Sequence, residues 1–148
     1  MPLKLSPNFT LQEMTASDTA TSLGIDNMPP DWATLRQLRY LCVKTLEPIR
    51  AIFGDRPVII SSGYRCPEVN AAVGGASNSA HLFGCAADFT VPEFGDVDAI
   101  CHELEDYLEE LEIDQLINET GGGARWVHVG RCIPPNTIPR YEYFPLTA

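Results

Sequence analysis

A carboxylate inside an apolar strand is the feature of this sequence that most restricts its fold. The run Cys85–Val91 alternates in the manner of a β-strand, and Asp88 is the carboxylate within it. The alternation places Asp88 on the face opposite to Ala87 and Phe89, which is the more apolar face. Burying an unpaired carboxylate costs several kcal/mol, and a metal ion is one efficient compensation. The fold is therefore expected to bring a compensating partner to Asp88.

Two amphipathic helices are predicted around this strand. Apolar residues recur at helical spacing from Leu35 to Phe53, Gly54 follows them as a helix stop, and Pro48 is expected to kink the helix. Asp96 can cap a second helix, whose apolar residues face inward and whose many acidic residues face solvent.

Short apolar runs elsewhere predict a small sheet. Pro57–Ser62 reads as a buried strand, while Ile113–Glu119 and Arg125–Gly130 read as an antiparallel hairpin around three consecutive glycines. The segment Tyr141–Phe144 is a candidate edge strand. The fold class is therefore α+β, with a small antiparallel sheet and helices packed on one of its faces.

The length of 148 residues indicates one domain, 1–148, with a core of about residues 9–130 and a proline-rich tail at 131–148. Apolar runs fall short of the roughly 18 residues that a membrane span needs, and the first residues lack the apolar core of a signal peptide. No membrane partner is therefore expected.

Charge and cysteine content exclude further classes of protein. The net charge of −10 repels phosphate backbones, so nucleic acid is not an expected partner. The five cysteines form no CxxC pair, which argues against a disulfide framework and against a zinc knuckle and favours free thiols.

The three histidines differ in their surroundings. His102 lies in the acidic helix and is most simply a surface residue, whereas His81 follows a polar loop and His128 lies within a predicted strand. Taken alone, His81 or His128 could be a hydrogen-bonded core histidine. Together with Asp88 they form a nitrogen and oxygen ligand set suited to Zn²⁺, with a fourth position left open as in catalytic sites.

Three sequence blocks carry a family resemblance. The segment from Ser79 to Asp88, SAHLFGCAAD, resembles the SxHxxGxAxD signature of zinc D-alanyl-D-alanine carboxypeptidases, phage L-alanyl-D-glutamate endolysins and VanX/VanY dipeptidases. Ser62–Arg65 (SGYR) and Trp126–His128 (WVH) resemble the other two family blocks, in the same order. The resemblance reaches to about residue 130 and is strongest to small phage and prophage members. It implies a hedgehog-like, D-Ala-D-Ala peptidase-like α+β fold whose sheet carries a zinc site.

The resemblance also implies roles for individual residues. His81, Asp88 and His128 would bind one Zn²⁺ ion. Arg65 would contact the substrate near the scissile bond, where a guanidinium suits a carboxylate or a developing oxyanion, and Ser79 would help to orient the substrate. A structural ion pair remains an alternative role for Arg65, as does capping of the loop for Ser79.

The catalytic base is where the sequence departs from part of the family. Dipeptidase-type members have a glutamate three residues before the last histidine, where this chain has Arg125. Small phage-type members place it at the end of the preceding strand, which corresponds to Glu119. An even-numbered loop such as Thr120–Gly123 would put Glu119 and His128 on one face, whereas an odd loop would turn Glu119 away unless a bulge intervened. Asp114 would then be the next candidate.

These observations predict a zinc-dependent peptidase that hydrolyses D-amino-acid-containing peptides of peptidoglycan, as a D,D-carboxypeptidase or an L-alanyl-D-glutamate endopeptidase. The alternative is a non-catalytic zinc-containing module that binds cell wall or builds a virion. The expected partners are peptidoglycan stem peptides, and the expected state is a monomer. Without a signal peptide, a phage or prophage lysis enzyme is expected, located in the host cytoplasm before lysis or in the virion.

Overall fold

Helices begin where a capping side chain precedes apolar residues at helical spacing. In the computed structural model, which describes residues 2–146, the side chains of Thr10, Ser17, Asp31 and Asp96 each accept a hydrogen bond from the backbone N–H three residues later. The helices are α1 (Leu11–Thr15), α2 (Asp18–Leu23), α3 (Trp32–Tyr40), α4 (Glu47–Ile52), α5 (Pro67–Ala72) and α6 (Val97–Leu104). Within residues 2–146, none is long and apolar enough to cross a membrane. Both ends of the predicted domain 1–148 lie outside the described residues, so its exact extent stays a prediction.

The long helix predicted from Leu35 to Phe53 is distorted before Pro48. A π-helical segment, Leu41–Leu46, joins α3 to α4, and the Glu47 N–H bonds the Cys42 carbonyl five residues back. A proline ring collides with the carbonyl four residues earlier in a regular α-helix, and a π turn widens the helix at this point. The predicted distortion thus takes the form of a π turn.

Between residues 2 and 146, seven strands form two sheets. They are β1 (Lys4–Ser6), β2 (Phe9–Thr10), β3 (Ile59–Ser62), β4 (Ala86–Thr90), β5 (Gln115–Gly121), β6 (Ala124–Gly130) and β7 (Glu142–Phe144). β1 and β2 pair with each other, and the larger sheet has the order β3-β4-β6-β5-β7.

The predicted small antiparallel sheet is present, and it carries one parallel pair at its edge. β7 pairs parallel to β5, whereas the other pairs in this sheet are antiparallel. The cause lies at Asp114, directly before β5. Its carboxylate accepts hydrogen bonds from Arg140, and its carbonyl accepts one from the Glu142 N–H. The tail is therefore fixed at the start of β5, and β7 leaves that point in the same direction as β5.

The prediction that 57–62 is a buried strand is also wrong. β3 pairs with β4 alone and forms the other edge of the sheet, and its side chains alternate between exposed and half-buried. Ile59 is 50% exposed. An apolar run cannot distinguish a central strand from an edge strand, because that depends on which strands pair with it.

The acidic helix ends before Leu108 and Leu111, which continue its apolar pattern in the sequence. α6 ends at Leu104 and continues as a 3₁₀ turn, Glu105–Tyr107. Acidic side chains crowd this end, and negative charge is unfavourable at the carboxyl end of a helix.

The two faces of the larger sheet have different roles. Ala87, Phe89, Val127 and Val129 are fully buried in the core cluster, which α6 joins. Asp88 pairs directly with His128 across β4 and β6, on the other face. The α+β fold with helices on one face and the candidate site on the other is confirmed.

Candidate metal centre and cleft

Three elements bring the predicted metal ligands together. His81 lies in a 3₁₀ turn, Ala80–Phe83, while Asp88 and His128 lie opposite each other on β4 and β6. All three are buried, and their ligand atoms lie within 4.8 Å of one another. Asp88 Oδ1 is 3.2 Å from His81 Nε2 and 2.9 Å from His128 Nδ1. Ligand atoms around tetrahedral zinc, at bond lengths of about 2.0–2.2 Å, are separated by similar distances.

The proton on His81 can be assigned from its surroundings. Nδ1 lies 2.6 Å from the Gly63 carbonyl oxygen, which can only accept, so Nδ1 is the donor. A neutral His81 then presents the lone pair of Nε2 to Asp88 Oδ1, which is itself an acceptor. A cation between Nε2 and Oδ1, or a second proton on the ring, removes the repulsion between these two acceptors. The buried donor set thus fits one zinc ion, with the Gly63 carbonyl fixing the ring as such partners do in zinc sites.

Asp88 is held in its charged form. Burial alone raises the pKa of this carboxyl group, but the hydrogen bonds and charge that His128 and His81 supply when their rings are protonated outweigh burial and bring the pKa well below its usual value. Arg65 adds an ion pair, with its Nη2 3.2 Å from Asp88 Oδ2. The group is therefore a carboxylate, as metal binding requires.

Arg65 is fixed by three side chains. Its Nη2 donates to Asp88, its Nε donates to Ser62 Oγ at 3.0 Å, and its Nη1 donates to Asn70 Oδ1 at 3.4 Å. A guanidinium carries five N–H groups. Within the described residues, two of them remain without a protein acceptor, and Arg65 lines the adjoining cleft. Arg65 thus forms an ion pair with Asp88 and still has two N–H groups with which it can bind a substrate.

A cleft of about 650 Å³ opens over the buried group. Glu119 and Trp126, on β5 and β6, contribute to its lining together with His81 and His128. The loop 73–80 lies along the cleft as well, and so does Arg140 from the tail. Residues of the 73–80 loop, of the β5–β6 hairpin and of the tail therefore surround one cavity.

The β5–β6 hairpin decides where Glu119 points. Its turn consists of Gly122 and Gly123, whose φ angles of +57° and +81° favour glycine. The loop has an even number of residues, as the sequence required, but two rather than the four of Thr120–Gly123. It pairs Glu119 with Trp126 and Ile117 with His128. Glu119 therefore shares the face of His128, and its Oε2 accepts a hydrogen bond of 2.8 Å from Trp126 Nε1.

Ser79 and Cys85 flank the turn that carries His81. Ser79 Oγ accepts a hydrogen bond from the His81 N–H at 3.3 Å, so Ser79 caps the turn and also lines the cleft. Cys85 is fully buried and its Sγ donates to the Phe83 carbonyl oxygen at 3.5 Å. Cys85 therefore does not join the ligand group.

Comparison with known proteins places the chain in a family. The family model described as Peptidase M15 matches residues 7–130. The chain belongs to the M15 peptidase family. Zinc D-Ala-D-Ala carboxypeptidase of Streptomyces albus G is 36% identical over 81 residues, which is 55% of this M15 chain and 30% of that protein. The predicted resemblance is therefore confirmed at the level of the M15 family.

Sequence reasoning missed the groups that support the M15 site. Asn27 is buried and donates to the carbonyls of Thr15 and Tyr64, while its Oδ1 accepts from the Cys66 N–H at 2.7 Å. It thereby fixes the loop that carries Arg65. Nothing in the sequence around Asn27 indicates which backbone groups its side chain bonds.

Gly63 is the second missed residue. A Cβ at this position would collide with the Met14 carbonyl, which also accepts a hydrogen bond from the Tyr64 N–H at 2.8 Å. The close approach lets the Gly63 carbonyl reach His81 Nδ1. The SGYR block contained the signal, since a glycine between a strand and a site arginine indicates a close backbone contact.

Proposed function

We propose that this M15 peptidase hydrolyses peptide bonds in D-amino-acid-containing stem peptides of peptidoglycan. The observation that carries the proposal is the buried His81–Asp88–His128 group, whose ligand atoms lie within 4.8 Å of one another at a cleft that Glu119 also lines. Support for the substrate class comes from the similarity to a zinc D-Ala-D-Ala carboxypeptidase.

His81, Asp88 and His128 are the proposed metal ligands. When bound, Zn²⁺ supplies Lewis acidity, which polarises a carbonyl group and lowers the pKa of water. Glu119 accepts the proton of the attacking water as its oxygen bonds to the carbonyl carbon. Glu119 then returns the proton to the amine nitrogen as the C–N bond breaks. Trp126 holds Glu119 on the cleft side of the hairpin through its N–H.

Arg65 and Ser79 are the proposed substrate contacts. The two remaining N–H groups of Arg65 suit a substrate carboxylate or the oxyanion that develops during hydrolysis. Arg65 also orients Asp88, so its loss affects metal binding as well as substrate binding. Ser79 keeps the His81 turn in place and presents its hydroxyl group beside the cleft.

Mass spectrometry of purified muropeptides after incubation with the zinc-loaded protein tests the proposal. Loss of a terminal D-alanine would identify a D,D-carboxypeptidase, and cleavage after L-alanine would identify an endopeptidase. Glu119→Gln serves as the control that retains the metal ligands. Tight binding to cell walls without cleavage of any stem peptide would overturn the enzyme and favour the non-catalytic module.

We further propose that the protein acts as a monomer in the lysis programme of a phage or prophage, either free in the host cytoplasm before lysis or in the virion. Support comes from the resemblance of its sequence blocks to small phage members of the family. Expression in bacteria with and without a membrane-permeabilising partner tests this role. Lysis that requires the partner is expected, and lysis in its absence would contradict an enzyme confined to the cytoplasm.

A further inference from the structure

A second groove lies between the N-terminal strand and α3. The segment 3–7, which includes β1, forms one side, and Trp32, Leu35, Arg36 and Arg39 of α3 form the other. The volume is about 570 Å³, which is in the range of binding pockets. None of the lining residues belongs to the metal centre or its cleft.

The charged residues of this groove are all cationic. Lys4, Arg36 and Arg39 line it and are exposed, and among residues 2–146 no carboxylate oxygen lies within 4.0 Å of their charged nitrogens. Of the neighbouring carboxylates, Asp31 caps α3 through the Thr34 N–H, and Glu47 accepts hydrogen bonds from Ser6 and Asn8. A chain with a net charge of −10 therefore has a cationic groove. Such a local reversal of charge attracts an anionic ligand.

The groove also displays an indole ring. Trp32 is 78% exposed and Leu3 is 54% exposed, whereas Leu35 is half-buried between them and the core. Exposed apolar surface of this kind, bordered by charge, is typical of binding sites. An aromatic face beside guanidinium groups suits a ligand that combines flat apolar faces with carboxylates.

The groove and the metal centre share one helix. The turn that carries His81 ends at Gly84, where a Cβ would come within 2.7 Å of the Thr34 carbonyl oxygen and 3.2 Å of the Leu38 nitrogen. One side of α3 thus supports the His81 turn, while Trp32, Arg36 and Arg39 face the groove. A ligand held in the groove would be anchored to the element that supports the catalytic cleft.

We propose that this groove binds the glycan strand of peptidoglycan, with Trp32 stacked on a sugar ring and the cations paired with carboxylates of the attached stem peptides. The proposal rests on the proposed function, because stem peptides are attached to such strands. Glycan binding would raise the local concentration of stem peptides at the cleft. A substrate without a glycan would gain nothing from the groove.

Two variants with a matched control test this inference. Trp32→Ala removes the stacking surface, and Arg39→Glu reverses one charge in the groove. Lys44→Glu makes the same charge change at an exposed residue of the π segment outside the groove, where Lys44 lies over the Tyr40 ring. Binding to purified cell-wall sacculi by co-sedimentation and turnover of a soluble stem peptide are measured for each protein.

Trp32→Ala and Arg39→Glu should each weaken sacculus binding by about fivefold, whereas Lys44→Glu should not. All three should cleave the soluble peptide at the wild-type rate. Equal sacculus binding by all four proteins would overturn the proposal, as would equal weakening by Lys44→Glu. A phosphate-rich wall polymer that competes better than peptidoglycan glycan would contradict the assigned ligand. Failure of the wild type to cleave any peptide would overturn the proposed function instead and leave the binding result to stand by itself.

Discussion

At the scale of single residues, the centre depends on which atoms carry protons. The Gly63 carbonyl fixes a proton of His81 on Nδ1, so in the neutral ring the lone pair of Nε2 points to Asp88 Oδ1 and leaves room for a cation or a second ring proton. Arg65 pairs with the second oxygen of Asp88. The local chemistry therefore favours a cation at the point where the three ligand atoms converge.

Metal content tests the ligand set. Purified protein should hold close to one zinc ion per chain, and His81→Ala and His128→Ala should each lose most of it, because two ligands bind zinc far more weakly than three. Elemental analysis gives the measurement. Cys85→Ser is the control, since Cys85 lies outside the group. It should keep its zinc and lose about 1–2 kcal/mol of stability through polar burial. Full zinc content in both histidine variants would exclude this site.

Turnover tests Glu119 and the residue that holds it. Glu119→Gln should keep zinc and substrate binding but lower kcat by at least about 100-fold, because a general base has been removed. Trp126→Phe keeps an aromatic ring on β6 but loses the N–H that bonds Glu119, so kcat should fall by about tenfold with KM nearly unchanged. If Glu119→Gln cleaves as fast as the wild type, the base is another carboxylate, and Asp114 is the first to replace.

At the scale of elements, one carboxylate ties the N-terminal hairpin to the helical layer. Glu47, at the start of α4, accepts hydrogen bonds from the Ser6 hydroxyl, the Asn8 backbone N–H and the Asn8 side chain, at 2.6–2.7 Å. Burial by itself raises the pKa of Glu47, but these hydrogen bonds outweigh burial and lower the pKa below its ordinary value of 4.5. The hairpin is thus attached to α4 through a charged group.

The pH dependence of stability tests this attachment. A lowered pKa means that Glu47 stabilises the fold above about pH 4.5 and loses this effect as the pH falls through its folded-state pKa. Glu47→Gln should therefore lower the free energy of unfolding by about 1–2 kcal/mol at pH 7 and by less at acidic pH. Urea unfolding at several pH values measures this, with the exposed Glu110→Gln as control. A deficit that is constant with pH would show that the charge of Glu47 is not responsible.

At the scale of the whole molecule, the tail beyond the family match completes the cleft. Arg140 bonds both oxygens of Asp114, at 2.8–3.2 Å, and this contact sets β7 beside β5. Ile133 and Arg140 then line the same cavity as His128. A segment outside residues 7–130 therefore shapes the space in which a peptide would lie.

Asp114→Asn should loosen this tail. The variant should lose about 1–2 kcal/mol of stability, because the partly buried carboxylate is replaced by a group that pairs poorly with a guanidinium. KM for a stem peptide should rise more than kcat falls, since the zinc ligands are untouched. Kinetics and thermal unfolding measure both effects, and Asp55→Asn, which breaks the exposed pair with Arg50, is the control. Unchanged KM with a destabilised fold would limit the tail to a structural role.

The sequence by itself determined the features that depend on near neighbours along the chain. Helix starts follow from capping side chains, and the face of Asp88 follows from strand alternation. Glu119 faces the site only if the β5–β6 turn has an even number of residues. This condition could be stated from the sequence, because side chains along a strand alternate with a period of two residues.

Only the tertiary structure decided the features that depend on residues far apart in the chain. The edge position of β3 and the parallel direction of β7 follow from which strands pair, and the local pattern leaves that open. The same holds for the Gly63 carbonyl on His81 and the pairing of Arg65 with Asp88, since each joins groups at least 18 positions apart. Local pattern fixed the identity of the candidate ligands, and packing fixed the donor role of His81 Nδ1 and the neighbours of all three ligands.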